Sequence, residues 1–177
     1  MNHFLRIACV ALYLAVNFAW EMKRISYLLA LAVFGFICGC AAEEPPTLDP
    51  EEQLAAELEV IDNFLSTNGI TAEEHESGLR YVINEVGSGT SPTVSNTVTI
   101  NYEGRFLTGE VFDAGESATF PLGNLISGWQ IGLPLISEGG SISLYIPSLY
   151  GYGPNGAPGV IPGNTPLVFD VDLISVQ

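Results

Sequence analysis

The chain has 177 residues, enough for one ordinary domain with extensions, and a formal net charge of −15. From Ala41 onward two arginines stand against nineteen Asp and Glu, a formal charge of −17 with no lysine at all. Such a field repels phosphate backbones and argues against nucleic acid as a partner.

The three cysteines, Cys9, Cys38 and Cys40, all precede Ala41, and the histidines are His3 and His75. The remainder therefore lacks the thiols for a disulfide or a thiolate metal site, and the histidines for a zinc site or a hydrolase triad. His75, set in "TAEEHESG", reads as a solvated surface residue.

In chain order, the first informative segment is "MKRISYLLALAVFGFICGC", Met22 to Cys40. Lys23 and Arg24 open it, and thirteen mostly apolar residues follow from Ile25 to Ile37. That length suits the apolar region of a signal peptide and falls short of a membrane span. With its "ICGC" ending the segment resembles a bacterial lipoprotein signal, cut before Cys40, which then carries the lipid. The expectation is a signal region over residues 1–40, with translation starting at Met22. The apolar core of the preceding piece, Ile7 to Val16, is too short to span. Two acyl chains on Cys40 would anchor the protein firmly to the membrane. Ala41 after the cysteine resembles an outer-membrane destination, so the expected place is the bacterial cell envelope, on the outer membrane facing the periplasm.

"AAEEPPTL" over residues 41–48 reads as a spacer, and residues 49–77 as an N-terminal helical segment. Asp49 is the expected N-cap, Pro50 suits the first turn, and Glu52 completes a capping box. Leu54, Leu58, Ile61 and Leu65 form one apolar stripe, and Asn68-Gly69 supplies a stop. Such a stripe packs either on its own domain or on a sister chain, the second case giving a homodimer.

From Gly78 the period changes to two. "LRYVINEV", "TVTINYEG", "SISLYIP" and "LVFDVDLI" read as strands, and "GEVFDAG" as a short strand or hairpin arm. Between them "SGWQIGLPLI" reads as one short helix capped by Ser127, with Pro134 disturbing its last turn. Strands with one apolar and one more polar face call for an α+β domain, an antiparallel sheet folded over a single helix.

Tyr102, "VFD", "FPLG", "ISGW", "YGYG" and "GAPGVIPGNTPLVFDVDLI" come in the order and approximate spacing of the FKBP-type peptidyl-prolyl cis-trans isomerases. Residues 78–177 resemble that domain, and the N-terminal helix resembles that of bacterial exported members. Taken singly, Phe169, Trp129 and the tyrosines would be ordinary core, and Asp113 an exposed turn residue. The resemblance instead implies a sheet half-wrapped around one helix, with an apolar cleft between them. Its walls would be Tyr102, Phe112, Leu125, Ile126, Tyr152, Ile161 and Phe169, with Trp129 as floor and Phe120 and Val160 beside them. Asp113 would be a buried carboxylate at the cleft edge. The Tyr152 hydroxyl and the Ile126 backbone N–H would each meet a bound carbonyl. Such a domain needs no metal and no cofactor, and its partners are proline-containing polypeptides. The implied activity is isomerisation of X-Pro bonds in exported proteins; the alternative is a chaperone that holds prolyl segments with little turnover. Ala157 stands where many relatives carry a larger residue, and "DAG" where a serine often follows the aspartate.

Overall fold

A computed structural model describes residues 49–177, which fall within one compact unit. The expected signal region, the expected lipid site at Cys40 and the expected spacer lie outside the described residues. No helix among the described residues is long and apolar enough to cross a membrane.

The N-terminal helix α1 spans Pro50–Thr67. Asp49 caps it as expected, its carboxylate accepting from the Glu51 N–H at 2.9 Å, with Pro50 in the first turn. The cap bond goes to Glu51, so the expected box with Glu52 is not the bond that forms here. The chain then adds a two-residue strand, β1 (Glu73–Glu74), inside the segment expected to be helical. His75 lies in the following turn and is half-buried, its Nδ1 bonded to Ser77. That turn draws the ring inward, against the solvated reading.

Five more strands complete an antiparallel sheet: β2 (Arg80–Glu85), β3 (Thr97–Phe106), β4 (Val111–Pro121), β5 (Ser141–Ile146) and β6 (Leu167–Val176). The order across the sheet is β1-β2-β5-β6-β3-β4. Strand alternation sets the two faces. Val98, Ile100, Ile142, Leu144, Ile146, Leu167, Phe169, Val171 and Leu173 all point to one face and form the main core. The short helix α2 (Ser127–Gly132) covers that face. Its glycines make the approach close: a Cβ on Gly132 would lie 2.4 Å from Leu144, and one on Gly128 2.7 Å from Ile146.

Two details of α2 differ from expectation. Ile126 holds the N-cap position and Ser127 is the first helical residue, with no side-chain cap bond. The helix also ends at Gly132, where the chain tightens into a 3-10 turn over Leu133–Leu135 that takes Pro134 in its first positions. A proline tolerates the start of such a turn because no donor is required there.

The opposite face of the sheet is half apolar and half polar. Ile61 and Leu65 of α1 pack there on Tyr145 and Val168, flanked by Phe64 and Val82. Two members of the expected α1 stripe, Ile61 and Leu65, are thus used on their own domain. Beyond α1 the face is laced by polar side chains: Asn84 donates to Ser143 Oγ, Ser143 donates to Asp170, and Arg105 pairs with Asp170.

Strand β4 is longer than the hairpin arm expected. Its side chains are mostly exposed or half-buried, so the apolar alternation that marks the other strands is weak. The β3–β4 pairing shifts register between Ile100 and Tyr102, and Ser117 opposite adopts φ 50 while its N–H bonds Asn101 Oδ1 at 2.9 Å. An irregularity of this kind bends a strand and increases its twist. Here it curls the β3–β4 hairpin over α2.

Candidate functional site

The curled hairpin and α2 leave an opening between them. The cleft has a volume of about 210 Å³ and is lined by Tyr102, Asp113, Phe120, Leu125, Ile126, Trp129, Tyr152 and Phe169. Drug-sized sites run to roughly 300–1,000 Å³, so this one suits a single ring with short flanks.

Aromatic rings build it by edge-to-face contacts. Trp129 stands at 90° to Phe169 with centroids 5.1 Å apart, and Tyr102 meets Trp129 at 5.3 Å and 72°. Phe112 backs Phe169 at 5.5 Å and 86°. These are favoured arrangements, in which a positive ring edge meets a negative face. Gly104 lies beneath them, and a Cβ there would come within 2.6 Å of Phe169 and 2.7 Å of Phe112. Trp129 is 4% exposed, and its indole N–H finds no acceptor among the described residues.

The polar groups sit at the rim. The Tyr102 hydroxyl donates to Asp113 at 2.8 Å. Burial first, then that bond and the Asp113 charge, push the Tyr102 hydroxyl up to about 12. Burial and Asp113 also raise Tyr152, so both phenols are neutral donors at physiological pH.

Eight of the eleven expected cleft residues therefore share one opening, and three do not line it. Phe112 stands behind Phe169 rather than at the surface of the cleft. Val160 is 56% exposed, while Ile161 is turned into the core at 5%. The cause is a tight loop: Ala157 and Ile161 exchange two backbone bonds of 2.8 Å, which leaves Val160 at the tip and sends Ile161 inward. Asp113 is at the cleft edge as expected but is exposed, since it lies on β4 at the curled margin of the sheet.

The sequence reading missed two polar residues bonded to segments that lead into the cleft. Gln130 of α2 donates through Nε2 to the carbonyls of Leu125 (2.7 Å) and Gly123 (3.2 Å), bracing the turn that presents Leu125 and Ile126. Its signal was weak, one polar side chain in an apolar helix. Glu57 of α1 is buried and bonded to Ser148, where the loop carrying Tyr152 begins. Its signal was a carboxylate on the apolar stripe, one turn before Ile61.

The family model of the FKBP-type peptidyl-prolyl cis-trans isomerases matches residues 89–174. The peptidyl-prolyl cis-trans isomerase Mip of Coxiella burnetii is 47% identical over 105 residues, 57% of this chain and 46% of that protein. The chain spans about half the length of the curated relatives it matches. Among solved structures, FkpA from Escherichia coli matches at TM-score 0.62 and 32% identity, over 90% of this chain and 71% of that one. A peptidyl-prolyl cis-trans isomerase from Pseudomonas syringae matches at TM-score 0.62 and 31% identity, over 75% of this chain and 99% of that one. With a solved relative followed along almost its whole length and the family pattern running from before β3 into β6, the chain belongs to the FKBP-type peptidyl-prolyl cis-trans isomerase family.

Proposed function

We propose that the protein accelerates cis-trans isomerisation of X-Pro bonds in exported polypeptides. The observation that carries this reading is the open aromatic cleft with neutral phenols at its rim. Amide resonance sets a barrier of about 18–20 kcal/mol to peptide rotation. In X-Pro both isomers are accessible, yet exchange takes tens to hundreds of seconds. The planar amide carries charge on its oxygen, and the twisted transition state has lost much of that dipole. A slot walled by Phe169, Tyr102 and Phe120 over Trp129 favours the less polar, twisted form, which is where binding accelerates a reaction. No bond is made or broken.

In this reading Tyr102, Phe120, Leu125, Ile126, Trp129 and Phe169 grip the pyrrolidine ring. Tyr152 donates its hydroxyl to a substrate carbonyl, and the Ile126 N–H takes another. Asp113 holds Tyr102 at the rim. Phe112 and Ile161 support the walls from behind, and Val160 touches the flanking peptide. Residues 78–177 are the isomerase domain, with residues 49–77 packed on it. Cys40 carries the lipid that tethers it to the outer membrane on the periplasmic side. A homodimer would use the exposed side of α1, because Ile61 and Leu65 face their own sheet.

NMR exchange spectroscopy on an X-Pro peptide tests the reading. Wild type should speed exchange well above the buffer rate, and Tyr152→Ala should lose most of that gain. Uncatalysed exchange in the presence of wild type overturns it, and saturable binding without exchange would identify a holding chaperone instead.

A further inference from the structure

Helix α1 does more than cover the sheet. Glu57 is 4% exposed, a carboxylate among the buried polar residues of the described chain. Its Oε2 accepts the Ser148 backbone N–H at 2.5 Å, and its Oε1 accepts the Ser148 hydroxyl at 2.6 Å and Gln53 Nε2 at 2.6 Å. Ser148 follows Pro147 at the end of β5 and opens a 3-10 turn, Ser148–Tyr150. Tyr152, in the cleft wall, comes four residues after it. A second tie lies alongside, the Tyr150 hydroxyl donating to the Ser77 carbonyl at 2.9 Å.

An apolar residue at position 57 would bind α1 to the sheet without burying a carboxylate, which is costly unless its oxygens are fully bonded. What the carboxylate adds is direction. Charge-assisted bonds to both donors of one residue fix the place and orientation of that backbone. We propose that Glu57 is a positioning residue for the cleft: by gripping both donors of Ser148 it sets where the loop departs from β5, and hence where Tyr152 stands. The proposal rests on the cleft reading given above. It makes α1 part of the working isomerase unit.

The full chain in detergent provides the test, with Asp62→Ala as the control. Asp62 pairs with Arg80 at the surface, so its loss loosens α1 without touching the loop. Glu57→Ala should raise amide hydrogen exchange from Ser148 to Gly156 relative to β3, and Asp62→Ala should not. On an X-Pro peptide Glu57→Ala should lower kcat/KM about tenfold, within what a small misplacement of a binding group costs. Glu57→Gln keeps an acceptor for the Ser148 N–H and should restore most of the loss. In a Tyr152→Phe background the Glu57→Ala loss should shrink, as expected of residues acting through one another. Unchanged loop exchange, a kcat/KM loss no greater than that of Asp62→Ala, or an undiminished loss in the Tyr152→Phe background overturns the proposal. If wild type catalyses nothing, the isomerase reading has failed on its own, and prolyl-peptide affinity replaces kcat/KM; affinity indifferent to Glu57→Ala then overturns the clamp.

Discussion

The Tyr102 hydroxyl and the Asp113 carboxylate, on neighbouring strands of one hairpin, meet at 2.8 Å across the rim of the cleft. The bond ties the curl of β4 to the ring that faces Trp129. It also makes the cleft sensitive to alkali. The Tyr102 hydroxyl is raised from 10.0 to about 12, chiefly by burial and then by Asp113. The folded protein therefore holds this proton more tightly than the unfolded chain does. The associated stability is fully present below pH 10 and is lost as the pH rises toward 12. Thermal melts should show that decline, and phenolate absorbance should show Tyr102 titrating late. Asp113→Asn should move its titration down.

Gly104→Ala should strike the cleft from below. The added Cβ meets Phe169 and Phe112 at distances real contacts do not reach. Overpacking of this kind costs about 1–3 kcal/mol. Urea unfolding should show the loss, and peptide binding should weaken as Phe169 is displaced into the slot.

The two neighbours at the tip of the glycine- and proline-rich loop should behave oppositely. Ile161→Ala empties a core position and should cost about 2–5 kcal/mol. Val160→Ala, at an exposed tip, should leave stability within about 0.5 kcal/mol and change only peptide affinity. Chemical denaturation beside a peptide titration separates the two.

Trp129 should report occupancy. Residues 41–177 contain one tryptophan, so a protein cut before Cys40 carries Trp129 as its single indole. Its emission should be that of a buried ring, and saturation with an X-Pro peptide should change it. A spectrum indifferent to saturating peptide would place the ligand elsewhere.

The alternating strands were legible because burial on one face leaves a period of two in the sequence. Ile142, Leu144 and Ile146 show it, as do Leu167, Phe169, Val171 and Leu173, and all seven are core. The residues around the cleft could be gathered from their resemblance to a family, although that resemblance did not separate walls from supports. Phe112 stands behind Phe169 and Ile161 lies in the core, and only the backbone path reveals it. Strand β4 escaped full recognition because an edge strand at the curled margin buries little. Glu57 escaped because an acid among Glu51, Glu52 and Glu59 looks like surface. Its burial depends on a partner 91 residues away.

The borders of the sheet carry a final consequence. One is the pair Glu73–Glu74, two exposed acids and nothing more; the other is β4, kinked where Ser117 adopts a left-handed backbone. Unfinished polypeptides seek straight, uncharged ladders on which to add a strand. Under the proposed function the cleft receives such polypeptides, and the protein meets them with one margin too brief and too acidic to extend and another too bent. On that reading clients enter the slot without being templated into aggregates along its flanks.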